Sequence, residues 1–328
     1  PFKHWKLHQG EFLGKQLQQM PDMSIRISQE EYAAQVKSIF VSKERRREKE
    51  QEITEDERQR LRGLLGGINW LVSGCRPDLA AWCSLLQQRV TKARVKDLIE
   101  SNKLAAMARE GSTAAIWVKS IAVPDVRFVV LTDAAWANGA EKCSQAGYMI
   151  AACDQKLHQD EWGTFSILRW KSYKQDRQIH STLGAELLSL SRGLAEARWV
   201  RSMWCEAVFV EYDLKEDLQW SQRIPLVAAV DCKPVYDHAK SESVSIKDKR
   251  MAIEMLLLKS DIKKHNITLR WMATQQMIVD VLTKLGAPLY LFKKVVSEAQ
   301  FILVEDRSVV EWIHRGGKSV SKKISNEI

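Results

Sequence analysis

From about residue 124 onward the chain alternates short apolar runs with longer amphipathic stretches. Phe128, Val129, Val130 and Leu131 form a run of the kind that builds a strand buried on both faces. Strands are predicted over residues 127–132, 147–153 and 166–171. A long helix over about 182–208 follows, with Leu183, Leu187, Leu190 and Leu194 on one face. A strand over 225–230, helices over about 233–239 and 249–265, a strand over 267–272 and a last helix starting near Val279 complete the pattern. Three antiparallel strands followed by crossover units predict an α/β fold with a mixed sheet and helices on its faces.

Upstream the period changes. Residues 11–18 and 24–27 read as two short strands around the turn signal Pro21-Asp22. Ser28 with Glu31 forms a capping-box pattern ahead of a helix that places Tyr32, Val36, Ile39 and Phe40 on one face. A hairpin and one helix bury too little area to stand alone, so this stretch needs a partner surface. Residues 43–62 are a dense mixed-charge run, read as a solvated helix or linker held by i,i+4 pairs. Residues 63–110 read as a small helical bundle. One stripe is Leu64, Leu65, Ile68 and Leu71, a second helix is opened by Pro77, and a third carries Val95, Leu98 and Ile99. Residues 111–123 read as a linker and 286–328 as a C-terminal extension, polar and disordered from about His314.

Composition narrows the class only a little. Among 328 residues, 50 Lys and Arg against 41 Asp and Glu give a net charge of +9, which favours a polyanionic partner. Cys75, Cys83, Cys143, Cys153, Cys205 and Cys232 include no C-x-x-C pair and no clustering with His. They read as reduced thiols of a cytoplasmic or nuclear protein, not a zinc site. No apolar run approaches the roughly 18 residues of a membrane span, and no signal peptide opens the chain. The first residue is Pro1, so a fragment of something longer is expected.

Four acids carry the candidate chemistry. Asp133 stands just past the run 128–131, where it either caps a turn ahead of Asn138-Gly139 or enters a site. Asp231 ends the run LVAAV in the same way. Glu186 lies among Leu183, Leu187 and Leu190, on or beside an apolar helix face, where a charge needs a reason. Asp280 lies among aliphatics at a helix start, where capping is the competing role. Together the four can converge on one sheet edge, where only cations would relieve their repulsion. Oxygen ligands with no His or Cys point to Mg²⁺ or Mn²⁺, and a pair of such ions suits in-line phosphodiester displacement. That supports a metal-dependent phosphoryl-transfer class and no more.

The motifs and their order resemble the ribonuclease H domain at the end of a copia-type LTR retrotransposon polyprotein. T-D-A-A-W-A around Asp133 is similar to that family's S-D-A-D-W-A, and R-W-K-S-Y-K-Q to its W-x-S-x-K-Q strand. S-T-L-G-A-E-L places Glu186 at the family's second acid, A-V-D-C places Asp231, and T-Q-Q-M-I-V-D-V-L-T-K places Asp280. The resemblance covers about residues 124–285. It extends upstream: L-L-G-G-I-N-W-L-V-S-G-C-R-P-D-L-A resembles the family's reverse transcriptase thumb and connection, and residues 1–42 its final palm hairpin and helix.

The resemblance implies a ribonuclease H-like fold behind a helical thumb segment and a palm remnant. It also implies endonucleolytic cleavage of RNA in RNA–DNA hybrids, with two Mg²⁺ ions on Asp133, Glu186, Asp231 and Asp280. No Asp-Asp pair occurs, so polymerase activity is not expected. Departures are Ala135 for an acid, Lys233 for an amide after Asp231-Cys232, Lys249-Arg250-Met251 for a basic segment, and Glu254 near a usual cation. No His lies between Trp271 and Asp280. Lys171, Lys174 and Arg177, with Lys247, Lys249 and Arg250, are the expected phosphate contacts, with solvated loop charges as the competing reading. Trp199, Trp204 and Trp271 read as core, and Trp136 as a functional candidate. The rival reading is a non-catalytic nucleic-acid-binding or structural remnant, and the rest of the polyprotein is a candidate partner.

Overall fold

The computed structural model describes residues 7–243 and 245–304. The N-terminal part contains β1 (Gln9–Phe12), β2 (Lys15–Gln19), β3 (Ile25–Ser28), α1 (Glu30–Ala34), α2 (Glu55–Gly74), α3 (Ala80–Gln87), α4 (Val95–Glu110) and β4 (Ala115–Val118). These strands form an antiparallel sheet in the order β1-β2-β3-β4. The run read as one strand over 11–18 is folded in half, because Leu13 and Gly14 both take positive φ and make a two-residue hairpin turn. The partner surface that the hairpin needs comes from residues read as linker: Ile27 pairs with Ile116 on β4.

One helix expectation is corrected here. The helix after Ser28 is a single short one, and Phe40 is 82% exposed. Asn102 exchanges hydrogen bonds with both backbone groups of Ile39, and Arg109 donates to the Val36 carbonyl. Side chains of α4 thus take the backbone groups that a longer helix would have used itself. The charged run 43–62 is only partly helical. Arg45 gathers Glu48, Gln51, Glu57 and the Glu52 carbonyl, and helix α2 begins at Glu55 behind a Thr54–Glu57 capping box.

The second part contains β5 (Arg127–Ala135), β6 (Gln145–Cys153), α5 (Gln155–His158), β7 (Gly163–Lys174), α6 (Thr182–Val208), α7 (Asp217–Ser221), β8 (Leu226–Val230), α8 (Lys233–Lys240), α9 (Lys249–Lys264), β9 (Ile267–Trp271), α10 (Leu289–Glu298) and β10 (Gln300–Phe301). Its sheet order is β10-β7-β6-β5-β8-β9. The meander β5-β6-β7 is antiparallel, and β8 and β9 run parallel to β5. With α6 packed on one face and crossovers through α8 and α9, this is the ribonuclease H-like fold, with β10 added as an edge strand.

Alternation along β5 divides the core. Phe128 and Val130 face α6 and α9, packed with Leu187, Leu190, Leu194 and Met255. Val129 and Leu131 face the other way, in one continuous cluster with Ile68, Leu71, Leu86 and Leu98 of the N-terminal helices. The helical segment therefore closes the second face of the sheet, and the Trp170 indole donates to the Val72 carbonyl across the junction. Among the described residues no helix is long and apolar enough to cross a membrane. The tail from His314, read as disordered, lies outside the described residues.

The helix expected at Val279 is instead a 3₁₀ turn, Ile278–Leu282. The chain then breaks at Gly286, at φ +76°, and Pro288 opens α10. Gly147 makes room for this turn: a Cβ there would lie 2.7 Å from Leu282 Cβ and 3.1 Å from Thr283 Cγ2. Gly147→Ala is expected to cost about 1–3 kcal/mol by overpacking. Urea denaturation would show it as a lowered midpoint at unchanged slope.

Candidate active site

The sheet register brings two of the acids together. Thr132 on β5 pairs with Val230 on β8, so the next residue on each parallel strand is an acid, Asp133 and Asp231, at the same level. Strand β5 runs past Asp133 to Ala135, so Asp133 is buried within the strand and does not cap a turn. Gly147 stands opposite it on β6. The 3₁₀ turn delivers Asp280 to the same place: Asp133, Asp231 and Asp280 each offer a carboxylate oxygen, all within 4.8 Å of one another. Asp280 has no capping role there.

Glu186 comes from the second turn of α6, on the opposite face of the sheet. Ser181 caps that helix, and Ser189 donates to the Asp133 and Gly147 carbonyls, fixing α6 against the strand ends. Glu186 is buried and stands outside the close set of three, with one carboxylate oxygen lacking a hydrogen-bond partner. Burial first, then the Asp133 and Asp231 charges, push its carboxyl well above the usual range, against the Ala134 amide and Lys284. Asp231 is raised for the same reasons, burial and then Asp133, with the Thr274 hydroxyl pulling the other way. Asp280 is pushed up to about 6 by burial and Asp133, although Lys284 opposes the rise.

Lys284 is a site residue that the hydrophobic pattern does not single out. Its ammonium lies 2.8 Å from Asp280 Oδ1 and 3.3 Å from Asp133 Oδ1. Burial alone would push it down, and the carboxylates more than offset this and hold it above its ordinary value. Thr283 donates its hydroxyl to the other Asp133 oxygen, and Asn138 holds the Thr283 carbonyl at 2.8 Å. The i,i+4 spacing of Asp280 and Lys284 is the signal in the sequence that could have found it. One ammonium does not neutralise four acids, three of which have raised carboxyls. An orphaned oxygen on Glu186 and an all-oxygen donor set fit a hard divalent cation.

The six basic residues do not form one patch. Arg177 and Arg250 line a common cavity of about 350 Å³ with His180 and Ser181, between the loop before α6 and the start of α9. Arg177 is ion-paired with Glu254, so the acid at a position where the resemblance expects a cation neutralises a neighbouring one. Lys171 and Lys174 are exposed on β7, within the strand and not after it. Lys174 lines a separate cleft with Arg89, Lys92 and Arg94 of the helical segment. Lys247 and Lys249 are exposed on either side of Asp248.

Three tryptophans differ from expectation or sharpen it. Trp199 and Trp271, read as core, are 58% and 44% exposed, and Trp136 is 46% exposed. The Trp136 indole donates to the Ile179 carbonyl and the Trp271 indole to the Asp231 carbonyl, each at 2.9 Å.

No protein-family model and no curated protein matches the chain. Among solved structures it is similar to RNase H1 from the halophilic archaeon Halobacterium salinarum NRC-1. That likeness has 11% identity and a TM-score of 0.33, over 48% of this chain and 94% of the other. LC11-RNase H1 in complex with RNA/DNA hybrid is similar at the same identity, coverage and TM-score. The foamy viral protease-reverse transcriptase in complex with double-stranded DNA covers 80% of this chain and 37% of its own. Its identity is 11% and its TM-score 0.44. The topology described above is ribonuclease H-like, and the acid cluster sits at the ends of its adjacent parallel strands β5 and β8.

Proposed function

We propose that the chain is a ribonuclease H-type endonuclease that hydrolyses the RNA strand of an RNA–DNA hybrid, from a copia-type retroelement polyprotein. The observation that carries this is the convergence of Asp133, Asp231 and Asp280, with Glu186 behind them, at the ends of adjacent parallel strands. Asp133, Glu186, Asp231 and Asp280 would hold two magnesium ions. When bound, such ions polarise a phosphate and lower the pKa of water. In the reaction a water oxygen bonds to phosphorus and the bond to the 3′ oxygen breaks, leaving a 3′-hydroxyl and a 5′-phosphate.

The chain's own residues position these parts. Thr283 orients Asp133 by donating to one of its oxygens, and Lys284 bonds the other. Lys284 offsets part of the negative charge and makes approach of an anionic phosphate less unfavourable. The exposed cations Lys171, Lys174, Arg177, Lys247, Lys249 and Arg250 would hold backbone phosphates away from the cut, which gives binding without sequence preference. The N-terminal sheet and helices are read as a palm remnant and thumb, and the rest of a polyprotein as their partner.

A second reading has its own observation. Lys284 already bridges Asp133 and Asp280, an arrangement that also suits a non-catalytic, nucleic-acid-binding remnant with an internal cation in place of a metal. The deciding experiment gives the full chain a labelled RNA–DNA hybrid, a DNA duplex and an RNA duplex, with Mg²⁺ and then Mn²⁺. Cutting of the hybrid's RNA strand alone is expected. Binding of the hybrid without cleavage under either metal would replace the nuclease reading by the remnant one.

A further inference from the structure

Trp271 ends β9 opposite Val230, one residue before Asp231. Its indole N–H is committed to the Asp231 carbonyl, yet 44% of the residue remains exposed. An indole tied in this way is held in place, and what it still offers a partner is aromatic surface. Two residues past Asp231, Lys233 places its ammonium 6.0 Å from the Trp271 ring centroid and 4.9 Å from that of Tyr236. Lys233 also pairs with Asp237 at 2.6 Å, with both side chains more than half exposed. Such a surface pair is worth little and yields readily to a phosphate.

An aromatic face beside a displaceable cation matches one chemical unit, a nucleotide, with its base on the ring and its phosphate on the ammonium. A base inside a paired helix has no free face, because its neighbours already cover both sides. We propose that Trp271 and Lys233 form a subsite for a nucleotide whose base is unpaired, at the Asp231 end of the acid cluster. The inference rests on the nuclease reading for its substrate and deepens it. The chain engages a hybrid next to a strand end, nick or overhang in preference to the middle of a paired stretch.

The test uses the full chain carrying Asp133→Asn, so that a probe is bound and not cut. The probes are an RNA–DNA hybrid with a short single-stranded overhang containing 2-aminopurine, and a blunt hybrid of the same length. The overhang probe should be quenched on binding. Trp271→Ala should abolish the quench and weaken overhang binding about tenfold or more, with blunt binding unchanged and Trp271→Phe retaining most of the affinity. Lys233→Gln should weaken overhang binding and flatten its salt dependence. Trp199→Ala is the control, because that ring is more exposed but lies roughly 20 Å along α6 from Glu186 at 1.5 Å per residue. Equal overhang binding by the Trp271→Ala and Trp199→Ala chains would overturn the subsite, as would equal weakening of blunt and overhang probes by Trp271→Ala. Failure of the nuclease reading is seen separately, as a wild-type chain that cuts no hybrid.

Discussion

Asp133→Asn should remove cleavage of the hybrid by more than about a hundredfold, because losing even an outer-shell partner of a metal site costs ten- to a hundredfold. Asp133 is the member of the cluster that everything else addresses. It is buried, Thr283 and Lys284 each bond one of its oxygens, and its charge helps push up Glu186, Asp231 and Asp280. Asparagine keeps the shape and one acceptor oxygen for Thr283, so the strand and turn stay together. Removing one of several crowded like charges also relieves repulsion. Loss of activity should therefore come without loss of folding, read as an unchanged or raised Tm beside the rate. Asp231→Asn should behave alike, since Asp231 is level with Asp133 on the neighbouring strand. A chain that still cuts with both substitutions would remove the assigned site.

Much of this arrangement is written locally. The runs 128–131 and 226–230, which lead to Asp133 and Asp231, are apolar because both strands are covered on both sides, and that continuity marks them as central. Glu186 can be singled out because a charge beside Leu183, Leu187 and Leu190 breaks a helix face. What the pattern could not show depends on distant pairing. Strand β4 exists because Ile27 finds Ile116, and nothing within residues 111–123 announces that partner. The short α1 has the same origin, since Asn102 and Arg109 lie more than sixty residues from the backbone they satisfy. Strand β5 extends beyond its apolar run: Ala134 and Ala135 carry little hydrophobic signal, although they still pair with β6. Trp271 shows the converse: an apolar neighbourhood suggests core, but the residue stands at a strand end where cover stops.

The acid cluster should also reverse the usual pH dependence of its own contribution to stability. Unfolded, Asp280 titrates near 3.8, and in the fold it is pushed up to about 6 by burial and Asp133. Between those values the folded chain binds more protons than the unfolded one. The contribution is therefore complete below the unfolded pKa and is lost as pH rises through the folded one. A carboxyl held that far above its unfolded value changes stability by roughly 2–3 kcal/mol across the window. Glu186 and Asp231 move in the same direction. Lys284 does not enter, because a raised ammonium stays charged throughout this window.

His158 acts the other way. Burial lowers it to about 4, so the unfolded chain binds its proton more readily and stability gained from it rises with pH over the same range. The lowered His265 adds to that. The informative quantity is thus the difference between wild type and Asp280→Asn, in which the histidines cancel. Without divalent ions the Tm of Asp280→Asn should match wild type near pH 4 and exceed it by several degrees at pH 7. Magnesium should then raise the wild-type Tm at pH 7, by about 2.7 kcal/mol of stability at a hundredfold excess over its Kd. It should do little near pH 4, where Asp280 holds a proton. The Asp280→Asn chain should show a smaller response at either pH. A mutant less stable than wild type at pH 7 would mean that the Lys284 ion pair outweighs the repulsion, and that the cluster is balanced without a metal.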